Sequence, residues 1–165
     1  MNYVNPYWRA PSLVPVWLTT PQQAAELIKE SVQGERSDEL FYDQLIKMAP
    51  NAQQAAIIAS IRDDERGHNR MFRQMYQDLT GYQVTGTLNE DNPIVNSYMD
   101  GLQKAFDGEL AAVEKYRKIW FGLPNGIYKD TLYGIIVDEQ KHAAKYNNLL
   151  LRNLNTGLYR GMSQS

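Results

Sequence analysis

The sequence predicts an all-α fold: a four-helix bundle with one long crossover between helices 2 and 3, built from an internally duplicated αα-hairpin. Three observations predict it. Long stretches keep apolar residues at helical spacing, the breaks between them are short except for one, and the two halves repeat each other at a fixed offset. At 165 residues the chain is long enough for one domain with a real core, and 43% hydrophobic with 22% charged residues is ordinary for a soluble globular protein.

Residues 1–18, MNYVNPYWRAPSLVPVWL, carry prolines and aromatics with no helical period. They are expected to form an extended arm against the body or a partner chain, or else a loose tail. The bundle should occupy residues 19–153. Thr20 can cap the first helix, Pro21 suits its first position, and Gln23 completes a capping box. That helix should run to about Met48 and stop before Pro50. Asn51 then caps a second helix reaching about Leu79. The next stretch, GYQVTGTLNEDNP, is the one long connection and can cross the full length of a bundle. Asn92-Pro93 should open a third helix reaching about Phe121, and GLPNG should turn the chain into a fourth, from about Tyr128 to Arg152. Residues 154–165 read as a tail. Short connections make the first two and last two helices antiparallel neighbours, and the crossover makes the second and third parallel.

The repeat carries the chemistry. The chain has two histidines, His68 and His142, each three residues after a glutamate, Glu65 and Glu139. Asp64-Glu65-x-x-His68 recurs as Asp138-Glu139-x-x-His142. Gly34-Glu35 with Tyr42 recurs as Gly108-Glu109 with Tyr116, and every pair is 74 positions apart (109 − 35, 116 − 42, 139 − 65, 142 − 68). Glu and His at i and i+3 share one helical face. In the second helix that face also carries Ile58, Ile61, Phe72 and Met75; in the fourth it carries Leu132, Ile135, Tyr146 and Leu149. In the first, Glu35 and Tyr42 align with Ile28 and Ile46; in the third, Glu109 and Tyr116 roughly follow Leu102 and Trp120. The acids therefore sit within apolar stripes that should point inward.

Four buried carboxylates close together are strongly unfavourable without compensation. Two divalent cations supply +4 against −4, and two neutral imidazoles complete their ligands. With no cysteine in the chain, thiolate zinc sites, iron–sulfur clusters, disulfides and cysteine nucleophiles are excluded, and a metal must be held by nitrogen and oxygen. Oxygen-rich sites of this kind suit iron or manganese. A metal-bound imidazole usually donates its other N–H to a carboxylate. The symmetry makes Asp64 with His142 and Asp138 with His68 the expected pairs, the alternative being two aspartates exposed on the helix surface. Tyr42 and Tyr116, two turns beyond a ligand, are placed to hydrogen-bond it or to protect it from oxidising equivalents, or are simply core tyrosines. Paired glycines at 34 and 108 suggest close helix approach beside the metals.

With these motifs the chain resembles the ferritin-like di-metal carboxylate proteins, most of all the rubrerythrin di-iron domain. GERSDELFY and DDERGHNRMF are similar to that family's first two helices, and GELAAVEKY and IIVDEQKHAAKY to its last two, so the likeness spans about residues 20–152. It implies Glu35, Glu65, His68, Glu109, Glu139 and His142 as ligands to two iron ions, with two manganese ions as the alternative. Glu65 and Glu139 would bridge the metals, and Glu35 and Glu109 would be terminal ligands that shift to admit an oxidant. There are two departures. Ala112 stands where the family carries an extra glutamate, and a cysteine-bound rubredoxin domain is impossible here, so an electron donor must come from outside.

The resemblance implies a non-haem di-iron oxidoreductase reducing hydrogen peroxide or O₂. A di-manganese catalase, a ferroxidase or iron-handling protein, and a structural or coat-forming bundle that binds metal without turnover remain alternatives. A net charge of −2 gives no footprint for nucleic acid or an anionic membrane. The absence of a secretory pattern or a long apolar run points to the cytoplasm. The arm and bundle face suggest a homodimer.

Overall fold

The computed structural model describes residues 18–33, 35–85 and 95–162 and, within these, the side chains of all but 35–37 and 155–162. Among the described residues there are five helices and no strand: α1 (Pro21–Gln33), α2 (Glu35–Met48), α3 (Ala52–Thr80), α4 (Tyr98–Gly122) and α5 (Ile127–Met162). The first expected helix is thus seen as α1 and α2, on either side of position 34. Residues 1–17, on which the expected arm falls, lie outside the described residues.

Local chemistry fixes the helix starts. Thr20 Oγ1 accepts from the Gln23 amide at 3.2 Å while the Thr20 amide donates to Gln23 Oε1 at 2.9 Å, a reciprocal capping box. Asn51 Oδ1 accepts from the Gln54 amide at 3.0 Å and starts α3. That helix ends at Gly81, whose φ of 76° lets its amide reach back to the Gln77 carbonyl at 2.8 Å.

Two boundaries differ from expectation. Helix α4 starts at Tyr98, not at Pro93, because Ser97 Oγ accepts from the Asp100 amide at 3.1 Å and takes the capping role. Helix α5 continues to Met162, well past the expected end at Arg152 and through most of the stretch read as a tail. That stretch contains no proline. Each glycine costs only about 1 kcal/mol, too little to stop a helix already nucleated and packed.

Two buried clusters show the topology. One joins Ala24, Ile28 and Val32 of α1, Phe72 and Met75 of α3, Val113, Tyr116 and Ile119 of α4, and Leu132 and Ile135 of α5. The other joins Leu45 of α2, Ile58 and Ile61 of α3, Leu102 and Ala105 of α4, and Tyr146 and Leu149 of α5. Early residues of α3 meet early residues of α4, and late meet late, so these two helices run parallel. The α1–α2 and α5 stretches run against them. This is the one-crossover bundle, with α1 and α2 together filling one of the four positions. Among the methionines, Met75 is fully buried, whereas Met48 and Met71 sit on outward faces, 37% and 45% exposed.

Two glycines of α4 mark close helix approaches, and neither is one of the two expected there, of which Gly34 lies outside the described residues. A Cβ on Gly122 would lie 2.8 Å from both Ala24 Cβ and the Thr20 carbonyl oxygen, and one on Gly101 would lie 2.8 Å from Val95 Cγ1 and 2.9 Å from Leu45 Cδ1. Gly108, by contrast, has nothing within 4 Å of a Cβ, so the close approach expected there is absent. Gly122→Ala should therefore destabilise the fold by about 1–3 kcal/mol, since the obstruction is backbone. Gly134→Ala, in an open helical position, should stabilise it by up to about 1 kcal/mol. Thermal denaturation of the two variants checks the contrast.

Candidate metal centre

Between the two apolar clusters lies a layer of acids and histidines. On α3 it falls between Ile61 and Phe72, on α4 between Ala105 and Val113, and on α5 between Ile136 and Tyr146, so helical periodicity turns Glu65, His68, Glu109, Glu139 and His142 to the bundle axis. Glu109 is 3%, Glu139 1%, His68 4% and His142 0% exposed. One ligand atom from each of Glu65, Glu109, Glu139 and His142 lies within 4.8 Å of the others.

Both rings turn Nδ1 inward. His142 Nδ1 is 3.0 Å from Glu65 Oε1, 3.6 Å from Glu109 Oε2 and 3.9 Å from Glu139 Oε2. His68 Nδ1 is 3.1 Å from Glu139 Oε1 and 3.3 Å from Glu65 Oε2. The rings lie nearly parallel with centroids 6.0 Å apart. On the outer side, His142 Nε2 sits 3.0 Å from Asp64 Oδ2 and His68 Nε2 3.3 Å from Asp138 Oδ2. Both aspartates are partly exposed, and Lys141 lies 2.5 Å from Asp138 and 3.7 Å from Asp64.

Five of the six residues expected as ligands thus converge. Glu35 opens α2, but its side chain is outside those described. Tyr42 Oη donates to Glu109 Oε1 at 3.3 Å. Tyr116 is buried with its ring against Phe72, centroids 4.9 Å apart. Glu39 and Glu114 are ion-paired with Arg66 at 2.6 Å and Arg117 at 3.0 Å. Sequence reasoning gave Tyr146 no role beyond the core. It is fully buried beside this layer, and its hydroxyl has no hydrogen-bond partner; its position one turn after His142 was the available signal.

Burial opposes charge on the imidazoles, yet Glu139 and Glu65 outweigh it and raise His68 to about 10. Against the same burial, Glu109, Glu139 and Glu65 raise His142 to about 12. Burial, reinforced by Glu139 and Glu65 and opposed by His142, lifts Glu109 to about 8. Burial disfavours ionised Glu139 too, but the neighbouring imidazoles of His142 and His68 hold it at about 2. Burial pushes the Tyr42, Tyr116 and Tyr146 hydroxyls well above the ordinary tyrosine range. Without metal, protons on the two imidazoles and Glu109 offset the buried negative charge.

A divalent cation fits these residues. Glu65 Oε1, Glu139 Oε1 and His142 Nδ1 are buried with no hydrogen bond, although His142 Nδ1 and Glu65 Oε1 are only 3.0 Å apart. Buried polar atoms normally find partners. These point at one another without hydrogen-bond alignment, as ligands around a common centre do, and the oxygen-rich donor set with two imidazoles suits iron or manganese.

Comparison with known proteins agrees with this geometry. Residues 26–99, which span α1 to the start of α4, match the rubrerythrin family model. Over this stretch the chain is similar to the ferritin-like di-iron superfamily, and within it to the rubrerythrin domain. The uncharacterized protein YhjR of Bacillus subtilis (strain 168) is 28% identical over 116 residues, covering 70% of this chain and 79% of that protein. No solved structure matches the chain. No described helix of this rubrerythrin-like chain is long and apolar enough to cross a membrane.

Proposed function

We propose that this chain is a non-haem di-iron oxidoreductase of rubrerythrin type, reducing hydrogen peroxide or O₂ at two carboxylate-bridged iron ions. The ligands in this reading are Glu35, Glu65, His68, Glu109, Glu139 and His142. The observation that carries it is the buried convergence of Glu65, Glu109, Glu139 and His142, with three ligand atoms lacking hydrogen bonds. When bound, paired iron supplies both electrons that cleave an O–O bond.

The protein's own groups divide the remaining work. Glu65 and Glu139, from facing helices, each approach both histidines, which supports a bridging role for them when metal is bound. Asp64 and Asp138 accept from Nε2 and so keep each Nδ1 lone pair turned to the centre. They are positioning residues. Glu109, terminal in this reading, accepts from the Tyr42 hydroxyl at 3.3 Å, which fixes its orientation. By the internal symmetry Tyr116 serves Glu35 in the same way. The apolar clusters above and below close the layer at its two ends along the bundle axis.

The test is anaerobic addition of hydrogen peroxide to protein loaded with Fe(II). About one peroxide should disappear for every two ferrous ions oxidised, with no O₂ released. Steady O₂ release without reductant would instead show a catalase, and metal binding without peroxide consumption would show a structural bundle.

A further inference from the structure

Peroxide reduction leaves the source of electrons open, and the shape of the centre bears on it. An open cleft of about 450 Å³ lies between α2 and α4 and reaches the acid layer. Its inner wall is Glu65, Glu109 and Glu139; its sides are Phe41, Tyr42 and Tyr116 with Ala105, Gly108, Ala111 and Ala112. The gap is local. Helix α4 is packed without spare space at both ends, at Gly101 against Leu45 and at Gly122 against Ala24, yet in between a Cβ on Gly108 would touch nothing within 4 Å. Ala112, where rubrerythrins carry an extra glutamate, lines the opening.

The volume far exceeds what the oxidant needs. One water occupies about 30 Å³, and peroxide is little larger, whereas pockets of about 300–1,000 Å³ hold organic molecules. The lining narrows the class. Among the described residues the cations at the cleft are Lys104, 2.9 Å from Asp100, and Lys115, which has Asp38 and Glu30 in its surroundings. Both are already offset by acids, so nothing there selects a phosphate-bearing nicotinamide or a fatty carboxylate. Aromatic faces and small apolar residues ending on carboxylates fit a flat, neutral ring carrying hydroxyl groups. Reducing peroxide to water takes two protons with two electrons, both of which a hydroxylated ring can supply, and the chain has no cysteine to relay electrons from a dithiol.

We propose that the cleft between α2 and α4 binds a hydroxylated aromatic, of the hydroquinone or catechol class, as the two-electron donor to this site. The inference rests on the peroxide-reducing reading above. The balance is one hydroquinone and one hydrogen peroxide giving one benzoquinone and two waters. Two O–H bonds break in the donor and the O–O bond breaks in the oxidant. Both protons and both electrons of the hydroquinone end in the two waters.

The experiment is proton NMR of hydroquinone with protein carrying two Mn(II) per chain, which broadens ring signals near the metals, with a Zn(II)-loaded sample as reference. Wild type should broaden them. Gly108→Phe and Ala112→Phe, which fill the cleft from two positions, should each weaken binding about tenfold or more while keeping both metals. Equal broadening by the variants, or none by fully loaded wild type, overturns the donor site and leaves the metal centre standing. Failure of wild type to take up either metal overturns the proposed function and this inference with it.

Discussion

Alanine at both 65 and 139 leaves a chain that retains fewer than about 0.2 iron ions after anaerobic loading, where the parent retains about two. The two glutamates are the only described carboxylates near both inward-facing Nδ1 atoms, at 3.0–3.9 Å. Removing them deletes the charge that draws two cations into an apolar layer. What remains among the described ligands is Glu109 and two imidazoles, too few donors and too little negative charge for a second ion. The variant should still fold. It replaces two buried acids by small apolar residues, and the clusters on either side are untouched. Circular dichroism should therefore show a parent-like helical signal alongside the missing metal; loss of both together would mean only that the layer is needed to fold.

The second large effect is a pH dependence that reverses on metal binding. His68 and His142 have folded values near 10 and 12, above the ordinary histidine value of about 6.5. Their contribution to the metal-free fold is complete below about pH 6.5 and is lost as pH rises through the folded values. Glu109, raised to about 8, acts in the same direction: the folded chain's hold on its proton helps at low pH and fades as pH climbs through 8. Glu139, held at about 2, opposes them only under acid, where its contribution is lost as pH falls from about 4.5 toward 2. The metal-free protein should thus be most stable near pH 5–6, with a melting temperature at least about 5 °C lower at pH 9. A bound cation needs those protons gone, so the metal-loaded protein should gain stability over the same rise. Scanning calorimetry at pH 6 and pH 9, with and without Mn(II), reads both slopes. Parallel slopes would mean that these histidines do not exchange protons for metal.

Much of this was legible because the relevant residues obey helical periodicity. Glu65-x-x-His68 and Glu139-x-x-His142 sit on single apolar stripes, so their burial and mutual approach follow from spacing alone. The distances of Asp64 and Asp138 from the opposite histidines follow from the duplication. Caps at Thr20 and Asn51 are local chemistry, and they too could be read. What escaped depends on distance between helices. Periodicity says which way a residue faces but not how near the next helix comes. Gly108 was therefore assigned a close contact that belongs to Gly101 and Gly122, and the cleft at Gly108 and Ala112 was invisible. The start of α4 escaped for a related reason: Pro93 and Ser97 both offer helix starts, and Ser97 has the aspartate three residues on whose amide it caps. The long α5 shows that glycines alone do not end a helix anchored by Leu132, Ile135, Tyr146 and Leu149.

The centre stands or falls on how many ions it holds. Elemental analysis of untagged protein, loaded anaerobically with Fe(II) and freed of excess metal, measures that directly. About two iron ions per chain are expected, matching two bridging glutamates and two inward-facing imidazoles. A single ion would contradict the dinuclear arrangement, and none after loading with either Fe(II) or Mn(II) would leave a helical bundle whose buried acids serve some other purpose.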